Sequence, residues 1–125
     1  MHYSHPEIMA NPQKQKGDRA ELEAAAILAD LLGLPVRRKL GAGRADDTGD
    51  LDGVPGHVVQ VASWADTAAA ARVKPREAEQ QRINAQADHA ASLVRFRGGT
   101  WRVVLTLEQW ARYVHQISHP GKPDN

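Results

Sequence analysis

The spacing of apolar residues changes period along this chain, and each change is marked by Gly or Pro. Over residues 17–32 the apolar side chains recur at helical intervals, Asp18 serves as an N-cap or first-turn acid, and Gly33 followed by Pro35 supplies a stop. Short strand-like runs follow at 36–40, 50–54 and 57–63, the last two joined around the turn dipeptide Pro55-Gly56. Residues 64–88 return to a helical composition rich in Ala, Gln, Glu and Arg, although Pro75 removes an amide donor and predicts a break or bend. Runs at 90–96 and 101–105 flank Arg97-Gly98-Gly99 as a second hairpin, and Thr106 caps a last helix with Trp110, Val114 and Ile117 on its apolar face. The expected class is therefore α/β, a mixed sheet flanked by helices in the order α-β-β-β-α-β-β-α.

A chain of 125 residues holds one small core, and the expected division is a flexible segment 1–13, one domain 14–117 and a flexible tail 118–125. No apolar run is long enough to cross a membrane, and the first ten residues lack the basic and apolar parts of a signal peptide, which predicts a cytoplasmic protein. The absence of cysteine excludes disulfides, thiolate zinc sites and cysteine nucleophiles. A net charge of +1 excludes a general basic coat but leaves room for a local patch. Gly41-Ala42-Gly43 lacks the Lys-Ser/Thr of a phosphate-binding P-loop, and His115 with His119 has no third ligand at a suitable spacing.

Three places carry possible chemistry. Glu21 shares a helical face with Ala25, Leu28 and Leu32, so its carboxylate lies beside an apolar stripe and needs a partner, either a cation or water reached from the first turn. Asp50 opens a strand in Gly49-Asp50-Leu51-Asp52-Gly53, where it either faces a ligand or bonds its own turn. Gln60-Val61-Ala62 lies in the neighbouring strand, with Val58, Gln60 and Ala62 on one face.

The helix Glu in Lys16-Gly17-Asp18-Arg19-Ala20-Glu21, the basic strand Val36-Arg37-Arg38-Lys39, the loop Gly41-Ala42-Gly43-Arg44 and the acid in Gly49-Asp50-Leu51 together resemble the PD-(D/E)xK nuclease superfamily. The nearest likeness is to its archaeal-type Holliday junction resolvases and their phage relatives. The resemblance covers roughly residues 16–96 and implies a restriction-endonuclease-like fold, a homodimer, and metal-dependent cleavage of branched DNA during recombination. It assigns metal binding to Glu21 and Asp50. Where that family carries Glu-x-Lys, this chain has Gln60-Val61-Ala62, so a carboxylate is replaced by an amide and an ammonium by a methyl.

On this reading, Mg²⁺ or Mn²⁺ is held by Glu21, Asp50, the Gln60 side chain and the Val61 carbonyl, and Lys74 reaches back from the following helix as a relocated lysine. Branched or duplex DNA is contacted by Lys14, Lys16, Arg19, Arg37, Arg38, Lys39 and Arg44, seven bases against the four acids Asp18, Glu21, Glu23 and Asp30 over the same stretch. Two alternatives stay open: an inactive relative that only binds DNA, and a protein-interaction module acting on a host factor through Trp64, Trp101 and Trp110. With few aromatic residues in the chain, those tryptophans are expected in the core. The last helix is free either to cap that core or to form a dimer interface.

Overall fold

A computed structural model describes residues 12–39 and 48–121. Helix α1 (Pro12–Leu32) leads to β1 (Arg37–Arg38), β2 (Leu51–Asp52) and β3 (His57–Ala62). Helix α2 (Thr67–Ala85), β4 (His89–Phe96), a short 3₁₀ turn (Arg97–Gly99), β5 (Thr100–Val104) and α3 (Leu107–Ser118) complete the order. The strands form one mixed sheet in sequence order, with β3 and β4 parallel and the other neighbours antiparallel. The expected α/β class and element order are observed. Among the described residues, no helix is long and apolar enough to cross a membrane.

Small residues let α1 approach the sheet closely. Ala20, Ala24 and Ala25 are buried at helical spacing and meet Val36, Leu51, Val59, Val61 and Leu93. The helix stops where the sequence says, at Gly33 with φ +67°, whose amide bonds to the Ala29 carbonyl at 2.9 Å. It already includes Pro12, the first described residue, and so extends upstream of the expected Gly17.

On the other face, α2 packs through Ala70 against Ala62 and Val94, all three essentially inaccessible. Asp66 caps α2 by accepting from the Ala69 amide at 2.9 Å. The helix runs through Pro75 as one element, so of the two expected outcomes it is not divided into two pieces. Pro75 is buried and its carbonyl accepts a 2.9 Å hydrogen bond from Gln109 of α3, so tertiary contacts at this point outweigh the lost donor.

The strand expected at 36–40 shrinks to two residues, and that expected at 50–54 to Leu51–Asp52. Gly53 explains the second limit: at φ +103°, a Cβ there would lie 2.6 Å from the Pro35 carbonyl oxygen. Register settles which faces coincide. Leu51 pairs with Val59 and both belong to the α1 side, so Asp52 falls on the side of Gln60 and Ala62, which face α2.

The tryptophans do not make the core. Trp64 and Trp110 are 38% and 54% exposed, and only Trp101 packs against the buried cluster. Thr106 caps α3 as expected, in a reciprocal arrangement with Gln109.

Candidate functional site

The site is assembled where β2 enters the sheet beside the second half of β3. Asp50 sits in a bend just before β2, its amide bonded to the Val59 carbonyl and its Oδ2 accepting the Val61 amide at 2.8 Å. The carboxylate is thus anchored to the strand that carries Gln60. Glu21, half-buried on α1, accepts from Arg38 Nε at 3.0 Å, while Arg38 Nη2 donates to Asp18 at 2.9 Å. Burial pushes Glu21 above the usual carboxylate range against the pull of the Arg38 hydrogen bond, and the Asp50 charge pushes the same way. Two sequence-distant acids are therefore close enough for the charge of one to act on the other.

Gln60 is buried, and its Nε2 donates to Glu77 Oε1 of α2 at 3.0 Å, whereas its own Oε1 has no hydrogen-bond partner among the described residues. Lys74 Nζ donates to the same Glu77 oxygen at 3.0 Å and lies 5.1 Å from the Trp64 ring centroid. Lys74 is thus joined to the strand through one bridging carboxylate. Glu77 was not expected from the sequence. Its signal was present in spacing: Ala70, Lys74, Glu77, Ala78 and Gln81 lie on one helical stripe, and three of these are buried against the sheet side. Which stripe faces the strands depends on tertiary packing, so spacing alone could not select it.

Among the described residues, no group of three His, Asp or Glu side chains gathers to hold a metal ion by itself. Glu21 and Asp50, whose charges repel each other, are groups that a divalent cation would satisfy, whereas the Gln60 oxygen lies with Glu77 on the α2 side of the sheet, so of the expected side-chain ligands only the two acids fit Mg²⁺ or Mn²⁺. For Val61 the structure engages the amide rather than the carbonyl.

The basic residues divide. Lys16 and Arg19 line a cleft of about 330 Å³ with Glu23, Ser63 and Arg95, just beyond the end of β3. A second cleft of about 420 Å³ shares Lys16, Ser63 and Arg95 and adds Trp64 and Arg97. Arg95 is steadied by Glu23 at 2.9 Å, and the Trp101 indole donates to the same oxygen at 2.7 Å. The Arg95 hydrogen bond, helped by Trp101, holds Glu23 below its usual range. Arg37 is exposed on the edge strand. Two expected phosphate contacts are instead engaged within the domain, Arg38 as described and Lys39 with Thr48 at 2.7 Å and Asp52 at 3.6 Å. Arg44 and the Lys14 side chain lie outside the described residues.

At the opposite end of β3 and β4, His57, His89 and Tyr113 form a ring cluster with centroids 5.1 to 6.1 Å apart. His115 stacks on His119 at 4.4 Å, and the His119 ring bonds to the His115 carbonyl. Searches of family models, curated proteins and solved structures match nothing to this chain.

Proposed function

We propose that this chain is a metal-dependent, structure-selective DNA endonuclease on a restriction-endonuclease-like fold, in which α2 supplies the charged groups missing from β3. One observation carries the reading: Gln60 and Lys74 converge on Glu77 beside the strand to which Asp50 is anchored. Glu21, Asp50 and the Val61 carbonyl would hold the cation; Gln60, turned toward Glu77 of α2, would not. A bound divalent cation would polarise the scissile phosphate and lower the pKa of a bound water. Lys74, released from Glu77, would offset charge developing on the phosphate.

The clefts support a nucleic-acid partner of this site. Lys16, Arg19, Arg95 and Arg97 ring the C-terminal ends of parallel strands β3 and β4, where open α/β sheets bind ligands, and Trp64 adds an aromatic surface. A homodimer acting on branched DNA in recombination is the matching biological expectation.

A second reading, an inactive DNA-binding relative, is favoured by the Arg38 guanidinium, which already neutralises Glu21 and Asp18. Cleavage and binding of labelled four-way junctions and matched duplexes, with Mg²⁺, Mn²⁺ or EDTA, separate the two. The nuclease reading expects metal-dependent cutting that falls by roughly 100-fold or more in Asp50→Asn and Lys74→Ala. Salt-sensitive binding without cutting selects the inactive relative. Neither binding nor cutting overturns both and leaves a protein-interaction module.

A further inference from the structure

The cleft of about 420 Å³ differs from its neighbour in what lines it. Lys16, Arg95 and Arg97 supply three cations, Trp64 and Phe96 two aromatic rings and Ser63 a hydroxyl, and no acid is among its lining residues. It lies where parallel β3 and β4 end and the chain passes through Asp66 into α2. Lys16 and Arg97 are exposed and form no hydrogen bond or ion pair among the described residues. Arg95 is aimed: its Nε donates to Glu23, which also accepts from Trp101, and among the described residues both terminal nitrogens of its fork keep their donors. Trp64 is exposed along the cleft, and Lys74 Nζ lies over its ring at 5.1 Å from the centroid. An ammonium in that position rests on one face of an indole and leaves the other open.

We infer that this cleft holds one unpaired nucleotide of single-stranded DNA, its base stacked on Trp64 and its flanking phosphates on Lys16, Arg95 and Arg97. The inference rests on the nucleic-acid partner proposed above and narrows it, and it needs no metal. Charge and shape choose the occupant. Three cations with no acid among them suit phosphate oxygens, and a guanidinium with both ends free suits them bidentately. In a duplex or a fully paired junction each base face is covered by the next pair, so an aromatic ring beside the phosphates has nothing to stack on. An unpaired nucleotide presents its face, and aromatic platforms set in basic grooves bind such strands whatever the base. A volume of about 420 Å³ is at the small end of ligand pockets, with room for one nucleotide and not for a base pair. The preferred substrate therefore carries a single-stranded segment, as a flap, a gap or a splayed end, beside any branch.

Fluorescence anisotropy of the full chain with labelled DNA in EDTA reads binding apart from cleavage. The probes are an unstructured single strand of about sixteen nucleotides, its matched duplex, a fully paired four-way junction, and the same junction with one arm left single-stranded. The two probes with unpaired nucleotides should bind about tenfold or more tighter than their paired counterparts. Trp64→Leu should weaken those two at least about fivefold and leave duplex binding within about twofold, and Trp64→Phe should restore most of the loss. The ring is exposed, so circular dichroism should show unchanged folding in both variants. Arg97→Ala should reduce the slope of log affinity against log salt on the single strand by about 0.7. Paired probes that bind as tightly as the others, or a Trp64→Leu effect that is the same on all four, would overturn the inference and leave the nuclease reading standing. Failure of all four to bind would overturn both.

Discussion

Glu79 ties the last helix to the rest of the molecule, and its removal should be read in both stability and pH dependence. Its Oε2 accepts from Arg82 at 2.7 Å within α2, and its two oxygens meet Arg112 and Gln109 of α3. Burial acts to raise its pKa, but hydrogen bonds from Arg82, Gln109 and Arg112 outweigh it and bring the group from 4.5 down to about 2. Because the folded value is depressed, the stabilisation is fully present above pH 4.5 and is lost as pH falls toward 2. At 1.36 kcal/mol per pKa unit the full shift would correspond to about 3 kcal/mol, and solvent screening of this partly exposed carboxylate reduces that to about 1–2 kcal/mol. Urea unfolding of the wild type and Glu79→Gln at pH 7, 5, 3 and 2 measures it. The difference between the two proteins should hold from pH 7 to 5 and shrink steadily below, since other carboxylates titrate alike in both. A difference that stays constant down to pH 2, or none at pH 7, would refute the assignment of the depressed pKa to this network.

Gly53→Ala should cost about 2 kcal/mol or more, because φ is +103° and the new methyl would sit 2.6 Å from the Pro35 oxygen. Gly17→Ala, inside α1 with nothing within 4 Å of the added carbon, should instead stabilise by about 0.5–1 kcal/mol, and both are read from denaturant midpoints. Gln60→Leu removes a buried oxygen without a partner while nearly preserving volume, so stability should stay within about 1 kcal/mol of wild type or rise. A loss above about 2 kcal/mol would show that the polar contacts of Gln60, including its bond to Glu77, outweigh the cost of its buried oxygen. If DNA is the ligand, Lys16→Ala with Arg19→Ala should lower the slope of log affinity against log salt by about 2, and an unchanged slope would remove that cleft from the binding path. Ala62→Lys should unfold more readily by several kcal/mol without gaining cleavage, since thermal melting would report an ammonium forced between Ala70 and Val94.

Local rules carried much of the fold. The Gly33 and Pro35 stop, the Pro55-Gly56 turn and the Thr106 cap act over a few residues, and each lies where the spacing puts it. Pro75 left one helix or two undecided because its cost is local while the contacts that offset it come from α3, far along the chain. The α3 apolar face was plain as a periodicity, yet its direction was not, since three polar side chains find buried partners and turn it outward. In the candidate site, Glu21, Asp50 and Gln60 stood out in their elements, while Lys74 was singled out only through the family resemblance. Glu77 was not, because an acid at that helical spacing from a lysine is commonplace until the strand beneath is known. The Arg38 ion pairs were equally hidden, for they join residues 17 and 20 positions apart.

The small side chain at Ala62 and the placement of Lys74 over the strand have one physical origin. Ala62, Ala70 and Val94 are buried together, and so close an approach of α2 to β3 is possible only with small side chains at the crossing. A lysine at position 62 would hold the helix away or bury its charge. Yet the same approach brings the next turn of α2 over the strand, where the half-exposed Glu77 accepts from Gln60 and pairs with the Lys74 ammonium. Close helix packing and a strand-borne lysine are therefore alternatives in this fold. The chain has taken the first, and any phosphate chemistry at the end of β3 must draw its positive charge from α2 or from the cleft around Lys16 and Arg95.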